Sequence, residues 1–515
     1  AVTIGGLNLI TVFLTLILFG LGIDFGIHNF SRYREERRGG AAPDTAIATV
    51  IRDTGGASLI AALTTSLGFF ALMLTEFRAF TEFGFIAGVG IVCTFLAMYS
   101  VFPAFIIVME RLGWKADKIP KGVRTRLDAI PAFNPLSHRK WVVRAGFAAF
   151  IFAIIFVPQM KFERNIKNLE AKQPQVLSDA TALVGKVFTD STDRAIVVVE
   201  TQEEVAAIDA YFKNLIETDT ETPTIKRISS LMDFVPSREQ QERRMEVIRR
   251  LEARADALQT FDPEKYTSTK RYLSVEDLNI LDLPQALRRT YLGTGAEPGY
   301  LMYIYNSVTM DDSVLARQFY DDAAGFVVDG KQYYAASEGF IFVEMIALMK
   351  RDAVKAIALV LLTTAILVFI FLRSWRGTIV TLLPALLGVF VTIGIMGAFG
   401  PSLSIMNMVI LPSLIGIAVD NSIHIFHRFE VEGDKADITK IMSSTGRAAV
   451  LTTLTTLIGF GGMVTASMGG LRSMGLLAII GFISCLVMTW FLLPVLLDIY
   501  RERLHARGKT VGVHK

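Results

Sequence analysis

Runs of about 20 consecutive apolar residues, the length needed to cross about 30 Å of hydrocarbon, recur along this chain and dictate what it can fold into. About nine stand out by that criterion. They lie near 7–28, 56–75, 83–109, 141–159, 353–372, 377–398, 402–425, 449–468 and 473–499. With 52% hydrophobic and only 20% charged side chains in 515 residues, the chain is too apolar for an ordinary soluble domain. The net charge of +3 points to no nucleic-acid partner, because the basic residues sit in short loops beside the runs and not on one soluble face. Cys93 and Cys485 fall inside apolar runs, where a thiol behaves as a small hydrophobe and implies neither a disulfide nor a metal site.

The basic residues orient the runs by the positive-inside rule. Arg32, Arg34, Arg37 and Arg38 follow the first run, and Arg111, Lys115, Lys118, Lys121, Arg124 and Arg126 follow the third. Arg373 and Arg376 separate the fifth and sixth. Arg428, Lys435 and Lys440 follow the seventh, and Arg501, Arg503, Arg507 and Lys509 lie in the tail. All fall on one side, the cytoplasmic one, if every run crosses once. The opposite side has tight links near 76–82, 399–401 and 469–472, together with one large segment, about 160–350, expected to be extracytoplasmic. Glu76, Arg78 and Glu82 read there as a solvated turn. The chain opens on Ala1 without a charged n-region, which reads as the start of a piece that begins inside a longer protein.

A three-helix unit occurs twice. Gly20, Asp24, His28, Phe30 and Arg32 fall in register with Gly416, Asp420, His424, Phe426 and Arg428. Thr64, Thr65, Gly68 and Phe69 match Thr455, Thr456, Gly459 and Phe460, Gly84 matches Gly475, and Pro103 matches Pro494. The small change of offset between these two stretches lies in a loop, where insertions are tolerated. The run at 141–159, the soluble segment and the runs at 353–372 and 377–398 have no partner. A full repeat thus covers about 141–499, and its counterpart is expected before Ala1: three more helices and a second extracytoplasmic domain.

Within the soluble segment, 195–199 reads as a buried strand, 202–217 as an amphipathic helix and 225–228 as a second strand. A charge-rich helix is expected over 236–259. The pattern returns as strand 300–307, helix 311–328 and strand 333–337. Two such β-α-β units predict a split, ferredoxin-like sandwich. A last helix, from about 340, runs into the fifth membrane run and would couple movement in the two parts.

Asp24 and Asp420 carry the chemistry. A charge near mid-membrane costs roughly 2.5–3.5 kcal/mol on insertion scales. Each lies about two helical turns, roughly 12 Å, before the arginine that marks the interface. A carboxyl at that depth can bind and release a proton near neutral pH; the alternative is an acid that only hydrogen-bonds neighbouring helices. Gly20, Asp24 and His28 are spaced by four, as are Gly416, Asp420 and His424, so each set forms one stripe on its helix. The glycines allow a neighbouring helix to approach closely. His28 and His424 either pass protons onward or sit at the interface bonding headgroups and loops. Thr64, Thr65, Thr455 and Thr456 either hydrogen-bond the aspartates or a water chain, or back-bond to helix carbonyls. An Asp-x-x-x-His pair also has metal-ligand spacing, but two ligands per helix are too few for a specific site.

Gly20-x-x-x-Asp24 and Gly416-x-x-x-Asp420, each followed by a basic loop and two more helices, resemble the GxxxD motifs of the resistance-nodulation-division superfamily over nearly the whole chain. The resemblance is to the MmpL-type and hopanoid-exporter branch, which is similar to Patched and the sterol-sensing proteins. It implies that 1–110 holds helices equivalent to the fourth to sixth of the family, 111–140 a cytoplasmic linker, and 141–159 the seventh helix. It further implies a porter-like domain at 160–350, the eighth to twelfth helices at 351–500 and a basic cytoplasmic tail at 501–515. The two aspartates would face each other at the bundle centre of an inner-membrane protein. This sequence departs from the multidrug pumps, which pair aspartates on the fourth helix and place a lysine on the tenth: here the neighbours are Phe25 and Asn421. The Tyr paired with each Asp in the mycobacterial branch is absent as well.

The expectation is therefore a polytopic α-helical membrane protein with an α+β porter-like domain and a two-fold repeat. Its expected activity is export of hydrophobic or lipid-like molecules on proton-motive force. Membrane lipids and a lipid-like substrate are its partners, a homo-oligomer (dimer or trimer) fits the family, and protons are the coupling ion in place of any cofactor. A lipid-sensing receptor without transport and a SecDF-like secretion motor are the other readings. No nucleophile elbow, phosphate loop or metal cluster points to an enzyme.

Overall fold

The structure, a computed structural model, describes residues 9–114, 135–187, 193–236, 238–255, 262–273, 278–293 and 299–511. In chain order its helices are α1 (Leu9–Arg38), α2 (Pro43–Phe70), α3 (Arg78–Arg111), α4 (Arg139–Phe156), α5 (Gln175–Val187), α6 (Gln202–Thr218), α7 (Arg238–Ala255) and α8 (Pro263–Leu273). They continue as α9 (Gln285–Tyr291), α10 (Ser313–Ala323), α11 (Glu338–Leu372), α12 (Trp375–Phe399), α13 (Ile410–Glu432), α14 (Arg447–Val464) and α15 (Gly469–His505). The strands are β1 (Ala195–Val199), β2 (Ile225–Ser229), β3 (Tyr300–Asn306), β4 (Gly325–Val328) and β5 (Lys331–Ala336). The chain forms two compact units. One comprises Ala1–Glu163, Lys167–Lys172 and Ile346–Lys515, the other Arg164–Ile166 and Gln173–Met345.

Eight described helices are long and apolar enough to cross a membrane: Pro43–Leu74, Arg78–Arg111, Pro135–Gln159, Glu338–Leu372, Trp375–Phe399, Asn407–Lys435, Ile438–Val464 and Gly469–His505. They coincide with all of the apolar runs except the first, which forms α1 and whose opening residues lie outside the described residues. So do Lys115 to Arg126 of the basic loop after the third run. The helix expected from about 340 is continuous from Glu338 to Leu372.

In the first unit, α1, α2 and α3 pack on one another, and α15 packs on both α13 and α14. The two sets cross-pack, α1 on α14 and α2 on α13. The start of α13, Ile410 to Val419, is apolar on every side and accordingly buried on every side. Gly84 in α3 and Gly475 in α15 meet the carbonyl oxygens of Phe69 and Phe460, where a Cβ would collide. The turn after α2 is anchored as well as solvated: the Glu76 backbone N–H donates to the buried Asp352 carboxylate at 2.7 Å, and Arg351 pairs with the Glu76 side chain.

The second unit is built on one antiparallel sheet in the order β2-β3-β1-β5-β4. Period-two alternation sends Met302 and Ile304 to one face, with Val197, Ile208, Phe212 and Phe319. Tyr303 and Tyr305 go to the other, with Leu231, Val235, Leu283 and Tyr291. One expectation fails here. The helix expected over 311–328 ends at Ala323, and Gly325–Val328 is a strand paired with β5, Val328 opposite Lys331 and Phe326 opposite Tyr333. Asp329 and Gly330 both take positive φ, 51° and 78°, the two-residue turn that closes a hairpin and that an Asp-Gly pair signals. Of the charge-rich helix expected over 236–259, Arg238–Ala255 is helical, and 237 and 256–259 lie outside the described residues. Helices α8 and α9 were not anticipated.

Lys331 joins the hairpin to α6 through Glu204, at 2.5 Å, where Glu204 also closes the capping box with Thr201. The Lys331 bond above all, helped by the Glu200 and Thr201 backbone N–H groups and by Tyr333, holds the Glu204 carboxyl near 2 instead of 4.5. Because this value is depressed on folding, the stabilisation is complete above pH 4.5 and lost as pH falls to about 2. Glu204→Gln is expected to cost about 1 kcal/mol of local stability. Hydrogen-exchange protection of the α6 and β5 amides should weaken in acid in the parent and much less in the variant.

Candidate functional site

Spacing by four places Gly416, Asp420 and His424 on one stripe of α13, and Gly20, Asp24 and His28 on one stripe of α1. Each glycine sits where a helix of the other set crosses. A Cβ on Gly416 would lie 3.2 Å from Thr65 Cα and 3.3 Å from the Thr64 carbonyl oxygen; one on Gly20 would lie 3.3 Å from Thr456 Cα. The close approach one turn away delivers threonine hydroxyls to the acids. Thr64 Oγ1 is 3.1 Å from Asp420 Oδ1, and Thr65 Oγ1 is 2.7 Å from Asp420 Oδ2. Thr455 Oγ1 is 3.4 Å from Asp24 Oδ1. The threonines also reach helix carbonyls: Thr64 those of Ile60 and Ala61, Thr455 and Thr456 that of Thr452. A hydroxyl has one proton to donate, so it bonds either the carboxylate or the helix.

Asp24 and Asp420 border the same cavity, together with Thr65, Thr456 and Asn421. Its free space is about 30 Å³, room for a water molecule or two. Asn421 is held by Thr452 and Thr453, whose hydroxyls lie 3.3 and 3.2 Å from its amide.

His28 and His424 meet between α1 and α13. Both are buried, and their rings stack face to face, centroids 4.1 Å apart and planes 10° from parallel. They border the aspartate cavity and also a second one, lined by Arg32, Glu35, Asp53, His427 and Arg428. There Arg32 pairs with Asp53 at 3.0 Å and with Glu35 at 3.1 Å, and Glu35 bridges on to Arg428 at 3.1 Å. The sequence showed Arg32 and Arg428 as matched repeat positions and interface charges but gave them no partners, and it passed over Glu35 and Asp53. Asp53 gave one signal, an acid at the edge of the apolar run that starts near 56. Among the described residues, no group of three or more His, Cys, Asp or Glu is arranged to hold a metal ion.

Such a fold and site define a multi-pass helical membrane protein with one acid on each of two central helices. A profile of the MMPL family matches residues 2–145, and one of the sterol-sensing domain of SREBP cleavage-activation matches residues 374–514. The hopanoid transporter HpnN of Burkholderia multivorans is 23% identical, with 99% of this chain and 63% of that protein covered. HpnN of Rhodopseudomonas palustris is 24% identical, with 96% and 62% covered. The chain thus spans less than two thirds of the length of these relatives. A crystal structure of SecDF, a translocon-associated membrane protein from Thermus thermophilus, is similar with a TM-score of 0.55 at 13% identity, over 95% of this chain and 54% of that one. That likeness concerns the fold alone. Over nearly its whole length the chain is thus similar to hopanoid transporters, with an MMPL-type stretch at one end and a sterol-sensing-type stretch at the other.

Proposed function

We propose that this protein exports hydrophobic or lipid-like molecules, hopanoid-like polycyclic lipids first among them, from a cytoplasmic membrane on proton-motive force. The observation that carries the reading is the pair of acids on one small cavity, each within reach of a hydroxyl from the opposite three-helix set. An ionised carboxylate accepts a hydrogen bond from the threonine hydroxyl. A protonated one does not need it, and the hydroxyl turns back to its own helix. Protonation thereby changes which bonds tie α13 to α2 and α1 to α14. Each elementary charge that crosses supplies about 2.3 kcal/mol per 100 mV to drive such a change.

The matching contacts in the two sets, Gly20 with Thr456 and Gly416 with Thr65, support reading them as two copies of one repeat. We read the sheet unit as the porter-like domain. With the edge strand β4 set aside, the order β2-β3-β1-β5 is that of a split β-α-β sandwich. The basic loops and the C-terminus would then be cytoplasmic, 141–159 and 351–500 the remaining membrane region, and 160–350 extracytoplasmic.

The test is transfer of a fluorescent polycyclic lipid out of proteoliposomes carrying the full-length protein under an imposed pH gradient. Transfer should require the gradient and stop on addition of a protonophore. Transfer that continues at the same rate without the gradient rejects the coupling. The sterol-sensing match favours one other reading, a lipid sensor that does not transport. It predicts saturable lipid binding with no gradient-dependent transfer.

A further inference from the structure

Two buried imidazoles lie between the aspartate cavity and the second cavity, and they belong to both linings. Among the described residues, neither ring has a hydrogen-bond partner in the protein, although both are more than nine-tenths buried. A buried polar ring with no protein partner is costly unless the small polar spaces on either side serve it. Each ring stands one helical turn, about 6 Å, from the aspartate of its own helix. An imidazole takes a proton on one nitrogen and gives one up from the other, so it hands a proton across without net change.

We propose that the His28–His424 stack is the gate of the proton path, passing protons one at a time between the aspartate cavity and the Arg32 side of the molecule. The inference rests on the proton-driven reading above. Face-to-face rings at 4.1 Å cannot both carry charge without strong repulsion, because little water lies between them to screen it. Occupancy by one proton therefore excludes a second.

The surroundings fit a single mobile charge. From α1 the rings face Asp24 on one side and Arg32 and Glu35 on the other. From α13 they face Asp420, His427 and Arg428, and from α2 only Asp53. Ser444, Thr445, Ala448, Thr452, Thr453 and Thr456 contribute hydroxyls and a methyl to the two linings, to which Arg447 of the same stretch does not belong, and α15 contributes the Cys485 thiol. The two arginines are already neutralised. Arg32 is held by Asp53, Glu35 and Glu36, and Arg428 by Glu35 and Glu432. A proton that leaves the stack thus meets a network in which four carboxylates, Glu35, Glu36, Asp53 and Glu432, outnumber Arg32, Arg428 and the Arg52 that also pairs with Asp53.

Proton flux into proteoliposomes holding the full-length protein, read with an internal pH-sensitive dye under an imposed potential, tests this. His28→Gln and His424→Gln should each lower flux by at least about tenfold, as expected when a positioned acid-base group is lost. His424→Ala should lose flux similarly, and millimolar imidazole should restore part of it by supplying the missing ring. Full flux in both Gln variants, alongside flux abolished by Asp24→Asn, overturns the gate and leaves the proton-driven reading standing. Full flux in Asp24→Asn overturns that reading itself. Loss of flux in the His variants that imidazole leaves unrestored assigns the rings to packing and also overturns the gate.

Discussion

Asp420→Asn is expected to reduce gradient-driven lipid transfer to the level of a de-energised control, and Asp24→Asn to do the same. Asparagine keeps the shape of the acid; Thr64 and Thr65 reach different carboxylate oxygens, so its one oxygen accepts from one of them and its NH2 donates to the other hydroxyl, and the helices should assemble as before. It cannot gain or lose a proton, which fixes α13 in one bonding state. Folding and lipid binding should persist while coupling is lost, a combination that a purely structural acid would not give. The two sites are unequal. Asp420 has hydroxyls at 3.1 and 2.7 Å, whereas Asp24 has the Thr455 hydroxyl at 3.4 Å with that of Thr456 beside it. A hydrogen bond to a charged group contributes about 1.5–3 kcal/mol, so Thr65→Val should slow transfer more than Thr455→Val. Transfer rates and unfolding temperatures of the four variants decide the matter. Unimpaired transfer in either Asn variant removes the proton-carrying role from that residue.

Much of this site was legible in the sequence because a helix has a fixed period. Gly20, Asp24 and His28 must share a face, and a second copy of the pattern at 416, 420 and 424 made chance a poor account of it. What periodicity cannot say is which face meets which helix. The hydroxyls that hold Asp420 come from Thr64 and Thr65, and the one near Asp24 comes from Thr455, so each acid is served by the other set of three helices. The histidine stack was hidden for the same reason: His28 and His424 are far apart in sequence, and only the crossing of α1 and α13 brings their rings together. In the sheet unit the failure was different. Residues 324–328 continue a helical pattern well enough, and the Asp329-Gly330 turn that ends it stood in the sequence without being read as one.

The closest backbone approach in the site leads to the second large effect, at Gly416. A Cβ there would lie 3.2 Å from Thr65 Cα and 3.3 Å from the Thr64 carbonyl oxygen, and both opposing atoms are main chain. Gly416→Ala therefore has to push α2 aside by a few tenths of an ångström, and Gly416→Val by more, with overpacking of this kind costing about 1–3 kcal/mol. The displacement falls on the same residues that hold Asp420, and the 2.7 Å bond from Thr65 has no slack to spare. Transfer should drop modestly in Gly416→Ala and severely in Gly416→Val, with the unfolding temperature following the same order. Gly20→Val should be milder, since only one contact there, at 3.3 Å, is comparably tight and the next is 3.6 Å. Trimming the facing side chain provides a control. Thr65→Ser in the Gly416→Ala background keeps the hydroxyl but cannot make room, because the obstruction is backbone. Recovery of wild-type transfer in that double variant, or an unchanged unfolding temperature in Gly416→Val, would mean that the crossing of α2 and α13 is not the constraint that sets the geometry of Asp420.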